Sequence, residues 1–474
     1  MNPLYICEAV LICFDNDNDA YIPELWANES LAILEENMVM ANLVHRDFQD
    51  QLAQFGDVVN TRRPSEHTGR RRTDADTYTA ADVSATNVRV SLDQWFYDSF
   101  IIKDGEASKS FKDLVAEHIA PAMLTMSRNI DRAVLGRVHD FLNVPTRRAG
   151  RLGAMSASTA QGYIADAKTI LSKNKAPEAG RKLCVSPDSE NGVLMADVFV
   201  RADARGDGGS ALEQARMGRI YGFDTFMAQN VNAPLASGAE VVAGTITNAE
   251  AADETVATQP CTVTGYEVVL GEFVTVAGND QPTYITAATA STNTTAVTLN
   301  EANKYATLAL AVATVYKSAD VNGSSYAIGY AKEVLIDGHA ASKNLQVGQL
   351  VAFGTSTARR TYTVIEATAT TTTSTSVLLD RPLEVALTDN QVAFPGPAGS
   401  MNLAFCRNAM ALVTRSLALP PSAFGVAAAT ASYNGVGMRV VMQYDSLVGG
   451  TRVNLDILAG TAVLDVNQAC VILG

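Results

Sequence analysis

The chain of 474 residues offers few side chains at spacings that could do chemistry. Its five histidines, His45, His67, His118, His139 and His339, include no HExxH pair that would bring two imidazoles to one helix face around zinc. None neighbours a GxSxG serine, and no GxxxxGK loop is present to cradle a phosphate. The six cysteines (Cys7, Cys13, Cys184, Cys261, Cys406, Cys470) form no CxxC and no metal-like spacing, which fits a chain made in a reducing cytosol. Asp15-Asn16-Asp17-Asn18-Asp19 opens like a calcium loop. Ala20 then stands where the loop needs glycine and Trp26 where it needs a bidentate glutamate, so a solvated acidic turn is the better reading. Arg205-Gly206-Asp207 spells an adhesion tripeptide, but three residues in a Gly-rich loop carry almost no specificity. His118, beside the apolar stripe of a long helical pattern, reads as a satisfied boundary residue. No catalytic, metal or cofactor site is expected, and the chain is not read as an enzyme.

One group of charges stands apart. Arg62, Arg63, Arg70, Arg71 and Arg72 lie close together with only Glu66 among them, in a chain whose formal charge is −14. They could contact carboxylates on a neighbouring subunit through charge-assisted bonds. They could also be a solvated tip that keeps an exposed hairpin from aggregating. Nucleic-acid binding comes third, because no aromatic stacking pattern accompanies them. The acidic balance also argues against phosphate affinity as the main task.

The elements that must carry these residues are unusual. At 47% hydrophobic and 18% charged, the chain can bury sizeable cores. No run approaches the ~20 apolar residues needed to span a bilayer, so no membrane partner is expected. Leu4–Phe14 is apolar, but no Lys or Arg precedes it and the aspartates follow, so it is not read as a signal peptide. A helix is predicted from Tyr21-Ile22-Pro23. Strands are predicted over 57–63 and around Val88, Val90 and Leu92, with polar Pro64–Asp82 between them. That hairpin has almost nothing apolar at its outer end, and an isolated two-stranded ribbon is marginal in water. A single long helix over 108–142, kinked at Pro121, is predicted from Leu114, Val115, Ile119, Met123, Met126, Ile130 and Val134.

Helices over 158–173 and 188–199 and a strand over 182–186 follow. From 232 to 400 the composition changes: threonine rises to 27 of 169 residues, and short β runs repeat as in a sandwich or barrel. This stretch reads as one inserted β domain, able to fold alone, because helical and mixed signals resume at Met401. Three strands are predicted at the end, 437–444, 451–458 and 461–473, with Ala459-Gly460 splitting the last two.

Three stretches carry a family resemblance. Tyr21-Ile22-Pro23-Glu24-Leu25-Trp26, continuing through Glu29-Ser30-Leu31 to Asn42-Leu43-Val44-His45-Arg46-Asp47-Phe48, resembles the N-terminal arm of coat proteins of short-tailed Salmonella phages. Gly218-Arg219-Ile220-Tyr221-Gly222-Phe223-Asp224 resembles the strand leading out of their mixed domain. Asn402-Leu403-Ala404-Phe405-Cys406-Arg407-Asn408-Ala409-Met410-Ala411-Leu412 resembles their return after an insertion. The chain is therefore similar to tailed-phage major capsid proteins of the Hong Kong 97 type.

The resemblance implies an α+β fold. Residues 1–20 would be an extension, 21–56 the N-arm, 57–105 the extended loop hairpin and 106–145 the spine helix of the peripheral domain. Residues 146–231 and 401–436 would form the axial domain, 232–400 the inserted β domain and 437–474 the peripheral-domain strands. It also implies hexamers and pentamers of an icosahedral shell, a scaffolding protein and portal as partners, and packaged DNA enclosed without specific binding. The chain would be made in the bacterial host cytoplasm and end in the virion. Two rival readings are a β-rich adhesin or receptor-binding protein working through 232–400, and a hydrolase whose constellation escapes motif search.

Overall fold

The computed structural model describes residues 27–28, 30–34, 38–46, 57–63, 86–103, 119–153, 155–200, 217–231, 238–246, 258–263, 266, 268–291, 294–299, 312–323, 325–330, 332–341, 343–354, 359–420, 426–433, 436–447 and 449–474. Strands dominate among them. The one-turn helix α1 (Met40–Leu43) precedes an antiparallel ribbon of β1 (Val58–Arg63) and β2 (Thr86–Ser91), with Val58 opposite Ser91 and Arg63 opposite Thr86. β3 (Gln94–Lys103) follows and returns to the body of the molecule. This strand was not foreseen.

Helices α2 (Ala120–Leu135) and α3 (Val138–Leu142) come next. Met123, Met126, Ile130 and Val134 form the buried stripe of α2, as the spacing predicts. The expectation of one helix over 108–142 needs correction. Residues 108–118 lie outside the described residues, Pro121 sits in the first turn, where its missing N–H costs nothing, and the helix breaks at Gly136. The cause is distant in sequence. Arg381 donates to the Gly136 carbonyl at 3.0 Å, and a Cβ at Gly136 would sit 2.5 Å from Asp380 Oδ2.

A six-stranded sheet has the order β4-β25-β20-β5-β7-β6. Its first members are β4 (Arg148–Gly150), β5 (Arg181–Val185), β6 (Arg219–Ile220) and β7 (Phe223–Met227). Tyr221 and Gly222 join β6 to β7 with φ of 47° and 88°, the two positive values a tight hairpin turn demands. Helix α4 (Ala160–Lys173) covers the sheet with Ile164, Ala167 and Leu171, while α5 (Pro187–Leu194) and α6 (Asp197–Val200) replace the single helix predicted over 188–199.

The chain leaves this sheet after β7 and builds two closed barrels. The first contains β8 (Val241–Ile246), β9 (Thr258–Val263), β10 (Phe273–Val276), β11 (Thr283–Ser291), β12 (Thr294–Leu299) and β13 (Val312–Tyr316). The second contains β14 (Ala319–Val321), β15 (Val334–Asp337), β16 (Leu350–Phe353), β17 (Arg360–Ala369), β18 (Thr375–Leu379) and β19 (Val392–Pro395). Each has its own core, Val274, Ile285, Val297 and Val315 in one and Val334, Phe353, Tyr362 and Val377 in the other. Where one β domain was expected, two stand in tandem. Closure lets short strands hide their edges in very little chain, which total length does not reveal.

β20 (Met401–Cys406) re-enters the six-stranded sheet. β21 (Met410–Arg415), β22 (Val426–Tyr433), β23 (Val436–Asp445) and β24 (Gly450–Val463) form a five-stranded sheet with β3, and β25 (Ala469–Leu473) completes the six-stranded one. β24 is the hub: β3 pairs along Gly450–Ala459, β23 along Gly450–Asp456 and β21 along Leu458–Val463. The break expected at Ala459-Gly460 is absent. Gly460 instead lets the Ser91 carbonyl of β2 approach where a Cβ would clash. The main core joins the five-stranded sheet, α2 and α3 to Leu403, Phe405 and Val471 of the six-stranded sheet and to Ala27, Leu31, Leu34, Met40 and Leu43.

Candidate functional site

At the ribbon's base the Leu92 amide donates to the Asp57 carbonyl at 2.8 Å, closing the two legs on each other, and Val59, Val90 and Leu92 pack with Ala411, Val413 and Leu458 of the body. Arg62 and Arg63 lie in the outward half of β1, and Arg70, Arg71 and Arg72 lie outside the described residues. His118 is likewise outside the described residues.

The densest buried chemistry lies elsewhere, where the second barrel meets the α2–α3 break. Arg381, at 1% side-chain exposure, lies two residues past the end of β18. It donates to the carbonyls of Gly136 (3.0 Å) and Thr361 (2.8 Å), pairs with Asp380 (3.3 Å) and Glu384 (3.2 Å), and stacks on Tyr362 at 4.5 Å. Arg137 enters from the helix side, donating to Glu384 at 2.6 Å and to the Thr461 carbonyl of β24 at 2.7 Å. Burial alone would raise the Asp380 and Glu384 carboxyls. The guanidinium of Arg381 outweighs it, aided by His139 at Asp380 and Arg137 at Glu384, and both titrate below their ordinary range. The second barrel is thus locked to helix and sheet through charges withdrawn from water.

His139, Thr363 and Asp380 invite comparison with a catalytic triad. Thr363 Oγ1 lies 2.7 Å from His139 Nε2 and Asp380 Oδ2 3.5 Å from the same nitrogen. In a working triad the acid orients the nitrogen opposite the nucleophile. Here both partners share Nε2, Nδ1 has no hydrogen-bond partner among the described residues, and His139 is fully buried. The arrangement packs; it does not attack. Among the described residues no group of three or more His, Cys, Asp or Glu could hold a metal ion. Burial pushes the Cys184 and Cys406 thiols up, opposite to what a thiolate nucleophile needs.

Two further contacts fix the first barrel. Arg359 is buried between the barrels, 4.3 Å from the ring centroids of Phe273 and Tyr284 and 5.4 Å from that of Phe394, and donates to the Gly271 carbonyl at 2.5 Å. Burial pulls its pKa down to about 9. Glu272, fully buried, accepts from Tyr266, from the Val269 amide (3.1 Å) and from the Ser318 amide (2.9 Å), tying the first barrel to the junction of β13 and β14. Against the six-stranded sheet, Gln281 donates to the Gly150 carbonyl at 2.5 Å and the Leu152 amide to Asp280 at 3.1 Å.

The segment 38–46 is held by opposite charges at its two ends. Asp131 of α2 accepts from the amides of Val39 (2.9 Å) and Ala41 (3.0 Å), and Lys182 of β5 donates to the Leu43 carbonyl at 2.7 Å. An anion at the amide end and a cation at the carbonyl end match the helix dipole.

Sequence reading missed the lock residues. The available signal was Asp380-Arg381 and Glu384 interrupting the apolar run Val377-Leu378-Leu379, where a buried charge needs a partner.

No family model and no curated protein matches the chain. Among solved structures it is similar to a chain titled Mycobacterium phage Che8, with 12% identity over 92% of this chain and 90% of that one and a TM-score of 0.41. It is also similar to a chain of the capsid structure of the cyanophage P-SCSP1u, with 9% identity over 92% and 91% and a TM-score of 0.40. A chain from the asymmetric unit of the bacteriophage PhiM1 mature capsid has 8% identity over 91% and 86% and a TM-score of 0.37.

Proposed function

We propose that this chain is a major capsid protein of the Hong Kong 97 type, self-assembling into the icosahedral head of a tailed double-stranded DNA phage. The ribbon carries the reading. Of its described side chains only Val90 is buried, and Val58 is 45% exposed. A two-stranded ribbon without a face to lie on is marginal alone, and neighbouring subunits would supply that face. The sequence stretches resembling an N-arm, an exit strand and a return point to the same family. In this assignment 21–56 is the arm, 57–105 the extended loop, 106–145 the spine, and 146–231 with 401–436 the axial domain. Residues 437–474 return to the peripheral domain, and 232–400 is an insertion holding both barrels. Arg62, Arg63 and Arg70–Arg72 orient the ribbon against carboxylates next door.

The protein acts as a structural component and not as an enzyme. Its partners are copies of itself in hexamers and pentamers, a scaffolding protein and a portal. It encloses DNA without binding it specifically, since a net-acidic wall does not hold a polyanion. Among the described residues no helix is long and apolar enough to cross a membrane. Velocity sedimentation of the chain co-expressed with its scaffolding protein tests the proposal. Particles far larger than any small oligomer are expected, and a chain that stays monomeric under every condition overturns it.

A further inference from the structure

The two barrels share one plan down to single residues. Let the strands of each be counted from first to sixth along the chain. In both, the first pairs with the second and the sixth, the fifth with the second and the fourth, and the third with the fourth and the sixth, every pair antiparallel. The registers coincide as well. Val274 lies opposite Thr283 and Val315 in the first barrel, and Val351 lies opposite Tyr362 and Pro395 in the second. Even the irregularity recurs. The fourth strand bulges against the fifth just past the pair Ile285–Leu299 in one barrel and just past Val364–Leu379 in the other.

The turn that enters the third strand is built twice from the same parts. Leu270-Gly271-Glu272-Phe273-Val274 matches Val347-Gly348-Gln349-Leu350-Val351. Gly271 and Gly348 have φ of 100° and 83°, where glycine is favoured, and donate to the carbonyls of Ile285 (2.8 Å) and Val364 (2.7 Å). Glu272 and Gln349 are both fully buried. Each accepts on a side-chain oxygen, at 3.1 Å, from the amide three residues before it, Val269 in one barrel and Gln346 in the other. Closing six strands into a ring demands none of these side-chain choices.

The barrels differ in how they join the rest of the chain. Directly after its fifth strand the second has Asp380-Arg381, which lock it to the helix break, whereas the first has Asn300-Glu301 at the same place in the sequence. The first barrel also enters and leaves at one point. The Lys317 amide donates to the Glu240 carbonyl at 2.9 Å, and their side chains form an ion pair. The chain just ahead of it already rests on the second barrel, where the Gly238 amide donates to Gln349 Oε1 at 3.2 Å. Ends that meet allow a domain to be inserted or removed without stretching its host. We infer that the barrels are two copies of one module. The second carries the attachment to helix and sheet, and the first is an accessory copy set between Glu240 and Ser318, dispensable to the fold of the rest.

The test removes the first barrel. In the otherwise complete chain with residues 241–317 deleted and Trp26→Phe, Glu240 runs straight into Ser318. The fluorescence of Trp95, which lies beside Arg381, then follows guanidinium unfolding. Its midpoint is expected within about 10% of that of the undeleted chain. A deleted chain that does not fold, or whose midpoint falls as far as that of Arg381→Met, overturns the accessory role. The equivalence of the copies is tested separately, in the full-length chain, at Glu272. Glu272→Gln installs the residue that the second barrel uses, so hydrogen exchange at the Val269 and Ser318 amides is expected to stay at the wild-type rate. Glu272→Ala removes their acceptor and should speed exchange by about fivefold or more. Equal acceleration by Glu272→Gln overturns the equivalence. Neither readout depends on shell formation, so either can fail while the shell reading stands.

Discussion

Replacing Arg381 with methionine removes the centre of the lock between the second barrel and the helix break. Asp380, at 3% exposure, would stay buried without its guanidinium, and removing one partner of a buried pair costs about 3–5 kcal/mol. The carbonyls of Gly136 and Thr361 also lose a donor, at about 1–3 kcal/mol each if they stay unsatisfied. These losses overlap, so about 4 kcal/mol is the expected total. Asp380→Asn alone should be costly as well. The double variant should cost less than the sum by about 2 kcal/mol, the sign of direct coupling. Trp95 lines the cleft beside Arg381 and Pro382, so its fluorescence in a Trp26→Phe background follows this junction during guanidinium unfolding. Acid adds a second check. Asp380 and Glu384 titrate below their ordinary values of 3.8 and 4.5, so their contribution is full above those values. It is lost as pH falls through the lower folded values. Wild type should therefore lose stability faster than Arg381→Met as pH drops below about 4. A cost under about 1 kcal/mol, or coupling within about 0.5 kcal/mol of zero, would refute the lock.

Four further outcomes are expected. Arg70, Arg71 and Arg72 changed together to serine should raise the critical assembly concentration and flatten its salt dependence; superimposable curves across a salt series would mean the arginines only keep the ribbon soluble. Residues 57–102 contain no lysine, so mature particles should show no covalent ladder on a denaturing gel. Arg359→Ala should cost about 3 kcal/mol by emptying the space between Phe273 and Tyr284, whereas Arg359→Met, which keeps the packing, should cost under about 1.5 kcal/mol in thermal unfolding. Asp131→Ala leaves the Val39 and Ala41 amides unsatisfied, so hydrogen exchange across 38–46 should speed at least fivefold, from about 1 kcal/mol or more, while α2 stays protected.

Local signals in the sequence reached the parts whose causes are local. Val88, Val90 and Leu92 alternate cleanly with polar neighbours and do form the ribbon's second strand and its exit. The helix expected over 158–173 is α4, two residues shorter at its start. β3 escaped because aromatic side chains occupy both of its faces. Trp95 and Tyr97 face outward and Phe96 and Phe100 face the core, so period two is hidden. The break at Gly136 escaped because Asp380 and Arg381, which impose it, are far away along the chain. The same non-locality hid the lock and the Arg359 seam. Each guanidinium looks like surface charge until the barrel closes around it.

Negative-stain electron microscopy of the purified full-length chain, alone and co-expressed with its scaffolding protein, tests the central claim most directly. Closed shells of uniform diameter with subunits clustered in sixes and fives are predicted. Uniform monomers or discrete trimers in both preparations would contradict it, trimers favouring an adhesin built on the two barrels.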